Sequence, residues 1–375
     1  MKLIRLVRLA TAASMIFAFG PGMASADKGV IGAVYTMTND PAGNQVLQYD
    51  RMADGSLAYR AHYDTGGQGT GSGLGNQGGV VLSEDGRWLL VVNAGSDDIS
   101  VFRIKGRDLV LTDRESSGGV FPVSVSIDRD LVYVVNAGGG VGDEDSISAL
   151  FIDNHGDLTL APGSTQPLSA ATTGPAQITF SPNGRFIVVT EKGTNTISVF
   201  PIDAYGYPGA GIFNAAAGQT PFAMDFGTRQ QLFVSEVAGG AADSGAVSSY
   251  RLANDGTLET LAGSVPNFET APCWLVVTNG GRYVFTTNTP DDSLSAYTIA
   301  NDGQISLVDA DGRTGEPGAG TRPLDMDLSD DGRHLYTLNI GNGTISTFSV
   351  GPDGSLTETA TASGVPAGVN GLAAR

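Results

Sequence analysis

One short phrase recurs seven times along this chain, and it constrains the fold more than any other feature. It reads "VYTMTND", "WLLVVNAG", "LVYVVNAG", "FIVVTEKG", "LFVSEVAG", "YVFTTNTP" and "LYTLNIGN". The aligned residues Asn39, Asn93, Asn136, Glu191, Glu236, Asn288 and Asn339 lie between 43 and 55 residues apart. That period holds four short strands with their turns, the length of a β-propeller blade.

Each unit reads strand by strand. An X-Pro step opens the first strand, as in "FPVSVSI", "GPAQITF", "TPFAMDF", "APCWLVV" and "RPLDMDL"; proline is tolerated at a strand start, where no ladder donor is needed. A turn such as "SEDGR" or "SPNGR" follows, with Asn or Asp beside Gly supplying positive φ. The repeated phrase is the second strand, and "TISVF"-like runs are the third. "NDGTL" and its counterparts make a second hairpin before an irregular outer strand. The end, "VPAGVNGLAAR", reads as a first strand with nothing after it, and the start, "GVIGAVYTMTND", as a second strand with none before it. Pairing them closes a ring and removes open strand edges. The expected fold is all-β: a seven-bladed propeller in one domain, residues 28–375, closed by the C-terminal strand completing the N-terminal blade.

Residues 1–26 read as a cleaved secretory signal. Lys2, Arg5 and Arg8 precede an apolar stretch, and Ala24-Ser25-Ala26 offers a small-residue cleavage site. Cleavage leaves 18 basic against 39 acidic side chains, a net charge of −21. Such a surface excludes nucleic acid and anionic lipid as partners, since both need a basic footprint. One cysteine, Cys273, permits no internal disulfide. The expected location is a bacterial periplasm or medium, the expected state a monomer without membrane insertion, and the expected partner a small molecule.

The three histidines, His62, His155 and His334, lie apart from one another and from cysteine, so the spacing offers no zinc or iron site. "GLGNQG" (73–78) matches GxGxxG literally, but a strand follows it where dinucleotide binding needs a helix. No cofactor is expected. The acidic loops holding Asp97, Asp98, Asp143, Glu144, Asp145, Asp291 and Asp292 leave room only for a structural calcium ion, and none has the calcium-loop spacing.

The asparagine series carries the sharper expectation. Asparagine after a strand caps the turn through its amide, and two successive blades replace it with Glu191 and Glu236, which cap poorly. Two carboxylates converging at the channel mouth would have the pKa spread that acid/base catalysis uses; pairing with Lys192, Arg185 or a neighbouring backbone amide is the alternative. Arg322, at a first-strand start, would hold a carboxylate, polarise an ester carbonyl, or pair with Asp325. Gln77, Asn136, Gln177, Lys192, Cys273 and Trp274 are expected to face the substrate.

"SPNGRF", "SEDGRW", "VYVVN", "NTISVF" and the "DGSL" hairpins, spread over nearly all of residues 28–375, resemble the lactonase-type seven-bladed propellers. That group includes bacterial 6-phosphogluconolactonase, fungal carboxymuconate cycloisomerases and proteins with YVTN-type repeats. The resemblance implies a lactone-opening hydrolase with a histidine, a glutamate and an arginine around the channel. Ala176 occupies the histidine's position, with Gln177 beside it, and no first strand holds a histidine. Glu191, Glu236 and Arg322 are the candidates for the remaining roles. The alternative is a non-catalytic propeller that binds a small molecule, peptide or envelope partner.

Overall fold

The computed structural model describes residues 29–138 and 143–375; the expected signal segment lies outside the described residues. Seven antiparallel sheets surround one channel. Blade 1 is closed as expected: Asn370–Ala374 forms its inner strand and pairs with Val30–Met37. The other inner strands are Val80–Leu82, Pro122–Asp128, Pro175–Phe180, Pro221–Phe226, Pro272–Val277 and Pro323–Leu328, in blades 2 to 7. Blade 3 departs from four strands, since Leu158–Leu160 and Gln166–Pro167 both pair with its third strand, Ser146–Ile152. Among the described residues no helix is long and apolar enough to cross a membrane.

Second and third strands are buried on both faces and carry the core. Val132–Val135 and Leu89–Val92 are fully enclosed, as unbroken apolar runs between packed sheets require. Neighbouring inner strands are stitched by side chains. Ser124 accepts from the Ile178 amide (3.2 Å), Gln177 from Met224 (2.6 Å), Asp225 from Val277 (2.7 Å), Asp325 from Leu372 (3.1 Å) and Asp327 from Ala374 (2.8 Å).

The X-Pro steps have a recurring conformation. Phe121, Gly174, Thr220, Ala271 and Arg322 all adopt positive φ, between 50° and 59°, although a residue before proline ordinarily takes an extended conformation. Loop side chains hold four of the five. Asp97 accepts from the Phe121 amide (2.8 Å), Asp145 from Gly174 (3.0 Å), Asn195 from Thr220 (2.7 Å) and Asp292 from Arg322 (2.7 Å). Each loop thus latches its blade to the start of the next, and the latch holds backbone strain worth about 1–3 kcal/mol per non-glycine residue. Arg322 is exposed and makes no side-chain ion pair among the described residues. Arg322→Gly is therefore expected to raise stability by up to about 1 kcal/mol, strain relief exceeding glycine's added chain entropy. A fall in the urea midpoint would show that the side chain matters.

Candidate active site

The asparagine ladder is a set of blade corners. Asn93, Asn136, Glu191, Glu236, Asn288 and Asn339 each end a second strand. Each meets the third-strand serine of its own blade: Ser100, Ser148, Ser198, Ser248, Ser295 and Ser346. The amide donates to that serine; the carboxylate reverses the bond and accepts from it. In blade 1 the aligned Asn39 lies beyond the strand and grips Thr70 and Ser72 of the next connection instead.

Glu191 is fully buried and takes four donors: the Ser169 amide (3.2 Å), the hydroxyls of Ser169 and Ser198, and the Thr194 hydroxyl (2.8 Å). Glu236 is equally enclosed and takes the Gly218 amide (2.9 Å), Ser248 and Ser264 (2.6 Å). A buried carboxylate persists only with such a shell of donors. The expected convergence is not what the geometry shows: the two carboxylates share no partner, and neither lines the channel cavity. Nor does either pair with a neighbouring cation, since Lys192 donates to the carbonyls of Gly75 and Pro175 (3.1 Å) and Arg185 to Asn254 (3.1 Å). Arg322 does not reach Asp325, whose oxygens accept from the Met326 (2.9 Å) and Leu372 amides. Asn136 is buried in its corner, away from the cavity.

Two others of the expected set do face the channel. A cavity of about 260 Å³ is lined by Gln77 and Gln177, with Ser126, Thr179, Asp225 and Asp327 among its other walls. It continues into a lower mouth of about 510 Å³ that shares Asp225 and Asp327. Lys192, Cys273 and Trp274 gather above the cavity. The Lys192 ammonium lies 5.2 Å over the Phe222 ring, and Phe222 meets Trp274 edge-on at 5.3 Å. Burial pulls the Lys192 pKa down to about 8 and pushes the Cys273 thiol up to about 12.

Asp225 and Asp327, which the sequence reading did not single out, are the two carboxyls that line this cavity. Enclosure is the main cause that raises Asp225 to about 6, against two backbone amides that favour its charge. Asp327 rises to about 7, by enclosure first and in part by the negative charge of Asp225. Asp325, buried two residues earlier on the same strand as Asp327, is raised well above the usual carboxylate range by enclosure. Each of the two cavity carboxyls uses one oxygen on its own strand, Asp225 on Phe226 (2.7 Å) and Asp327 on Leu328 (2.8 Å), and the other on the next blade. A carboxylate has about four acceptor positions, so half remain for a ligand. The Ser126 and Thr179 hydroxyls and the Gln177 amide nitrogen have no protein acceptor among the described residues. Fixed carboxyls of unequal pKa beside free donors can move a proton and hold a developing oxyanion.

These shifts set a pH dependence for stability. Between the usual carboxylate value of 3.8 and the folded values near 6 and 7, the folded chain holds protons that the unfolded chain has released. Stability is therefore expected to fall as pH rises from about 4 to about 7, by up to ~1.4 kcal/mol per pH unit from each group. Urea midpoints across that window check this; a rise through it would contradict it.

With the cavity described, comparison places the chain. The seven-bladed β-propeller lactonase family model matches residues 42–159 and 210–369. The chain belongs to that family. It is 27% identical to a 6-phosphogluconolactonase of Erwinia tasmaniensis over 246 residues, 64% of this chain and 69% of that protein. A periplasmic gluconolactonase of Pseudomonas aeruginosa superposes with a TM-score of 0.68 at 18% identity, covering 90% of this chain and 98% of the other. A putative 6-phosphogluconolactonase of Bacteroides uniformis gives 0.70 at 17% identity, covering 92% and 99%. At these identities the two structures attest the fold.

Proposed function

We propose that this lactonase-family propeller opens a small lactone inside its channel, with Asp225 and Asp327 as the acid/base pair. The observation that carries this is the pair itself: two carboxyls facing one cavity, poised near 6 and 7. Asp225, the more acidic, takes a proton from water as the water oxygen attacks the lactone carbonyl carbon. The oxyanion is met by Gln177 Nε2 and the hydroxyls of Thr179 and Ser126. The ring C–O bond then breaks, Asp327 protonates the departing oxygen, and a hydroxy acid leaves. Glu191 and Glu236 act as corner ties in this reading, and Arg322 stays outside the reaction. The signal-like pattern of residues 1–26 supports export to the periplasm or medium.

One observation favours a second reading, that of a non-catalytic binder: both carboxyls already serve as stitches between blades. Following ring opening of glucono-δ-lactone and simple γ-lactones separates the two. Turnover that exceeds the spontaneous rate and saturates supports hydrolysis. Ligand-dependent thermal protection without product supports the binder.

A further inference from the structure

The glycine-rich stretch that mimics a nucleotide loop occupies an unusual place. The connection from blade 1 to blade 2 runs 15 residues, 65–79, as long as 308–322 and three times the five residues of 117–121 and 216–220. It reaches across the upper end of the channel, and the inner strand of blade 2 is left with three residues. Side chains of distant blades hold it there. Lys192 of blade 4 donates to the Gly75 carbonyl, and Trp274 Nε1 of blade 6 to the Asn76 carbonyl (2.8 Å). The Asn76 amide donates to Val123 of blade 3. Gln77 grips Leu275 of blade 6 through both its amide atoms, at 2.9 and 3.1 Å, and its backbone amide donates to Ala176 of blade 4 (3.1 Å). Leu74, Asn76 and Gln77 are buried although the stretch before them is exposed. Gly75 and Gly78, at φ 63° and 79°, supply the left-handed turns this path needs.

We infer that residues 73–78 form the roof of the channel cavity, clamped by Lys192 and Trp274, and that this roof sets the largest lactone the cavity accepts. The second half rests on the hydrolytic reading; the first does not. With the roof down, the cavity opens on the lower face alone and its depth ends at Gln77, so a lactone with a long substituent has no room to pass upward. Lys192 and Trp274 bind the roof rather than the substrate, and loosening them lengthens the site without touching the acid/base pair.

Cys273, the only cysteine, reports on the clamp of the roof, because its half-buried thiol feels the charge of Lys192 and it precedes Trp274 on the same strand. Labelling by N-ethylmaleimide under native conditions is expected to accelerate at least about tenfold in Lys192→Met and in Trp274→Phe, with urea midpoints used to subtract global unfolding. Rates equal to the unaltered chain's, or acceleration fully explained by lower midpoints, would overturn the roof. In the same variants, kcat/KM for long-chain alkyl γ-lactones is expected to rise about tenfold through KM, while kcat for the unsubstituted lactone stays within about twofold. An unchanged chain-length profile would overturn the size limit. Faster labelling in a protein that hydrolyses no lactone at all would overturn the hydrolytic reading and the size limit together, and would leave the roof standing.

Discussion

Asp327→Asn is expected to lower kcat for lactone opening by about 10²–10³-fold, and Asp225→Asn by a similar factor, within the range that a positioned general acid or base supplies. The physical basis is the difference between the two sites. Both carboxyls are enclosed by the channel wall, but Asp327 also feels the charge of Asp225 and holds its proton to higher pH. Asparagine keeps the shape while removing the proton transfer. It also puts an amide where one backbone amide sought an acceptor, so each variant needs its urea midpoint measured beside its rate. The two losses should not add, because each residue is idle without the other. If either variant stays well folded and retains more than about a third of the activity, the pair is structural stitching alone.

Glu191→Ala should have the largest effect on stability, a loss of about 3–5 kcal/mol, comparable to breaking a buried ionic interaction. Three of its four donors are hydroxyls that can rotate toward other acceptors. The Ser169 amide cannot, and it would be left buried without an acceptor beside a new cavity. Glu191→Gln keeps one acceptor oxygen and is expected to cost only about 1 kcal/mol, one hydrogen bond's net worth. In both variants the folded fraction should turn over lactone at the unaltered rate. Equilibrium urea denaturation gives the first quantity and activity normalised to folded protein the second. Loss of activity in well-folded Glu191→Gln would return the catalytic role to the corner glutamate.

The repeat made the fold legible, because a blade leaves its period, turns and ring closure in the sequence. The same column comparison exposed Glu191 and Glu236 but not their role. Their meaning lies in Ser169, Thr194 and Ser264, donors from other strands and connections that no spacing reveals. Asp225 and Asp327 were visible in the same way. Four residues after the X-Pro proline the blades carry Ser126, Thr179, Asp225, Val276 and Asp327, and two carboxyls in that column are as much a break as two in the asparagine ladder. Sequence alone does not say which column faces the channel. The GxGxxG match runs into a strand rather than a helix, and only the structure reveals that its glycines let the chain cross the channel.

The pH dependence of kcat/KM for lactone hydrolysis tests the central claim most directly. A bell with limbs near 6 and 7 is expected, the ascending limb set by Asp225 losing its proton and the descending limb by Asp327 losing its own. Because the two groups are coupled, the limbs belong to the pair, and Asp327→Asn should abolish the descending one. A rate that rises without limit through pH 8, as hydroxide-driven opening would, or no saturable turnover at any pH, would contradict it.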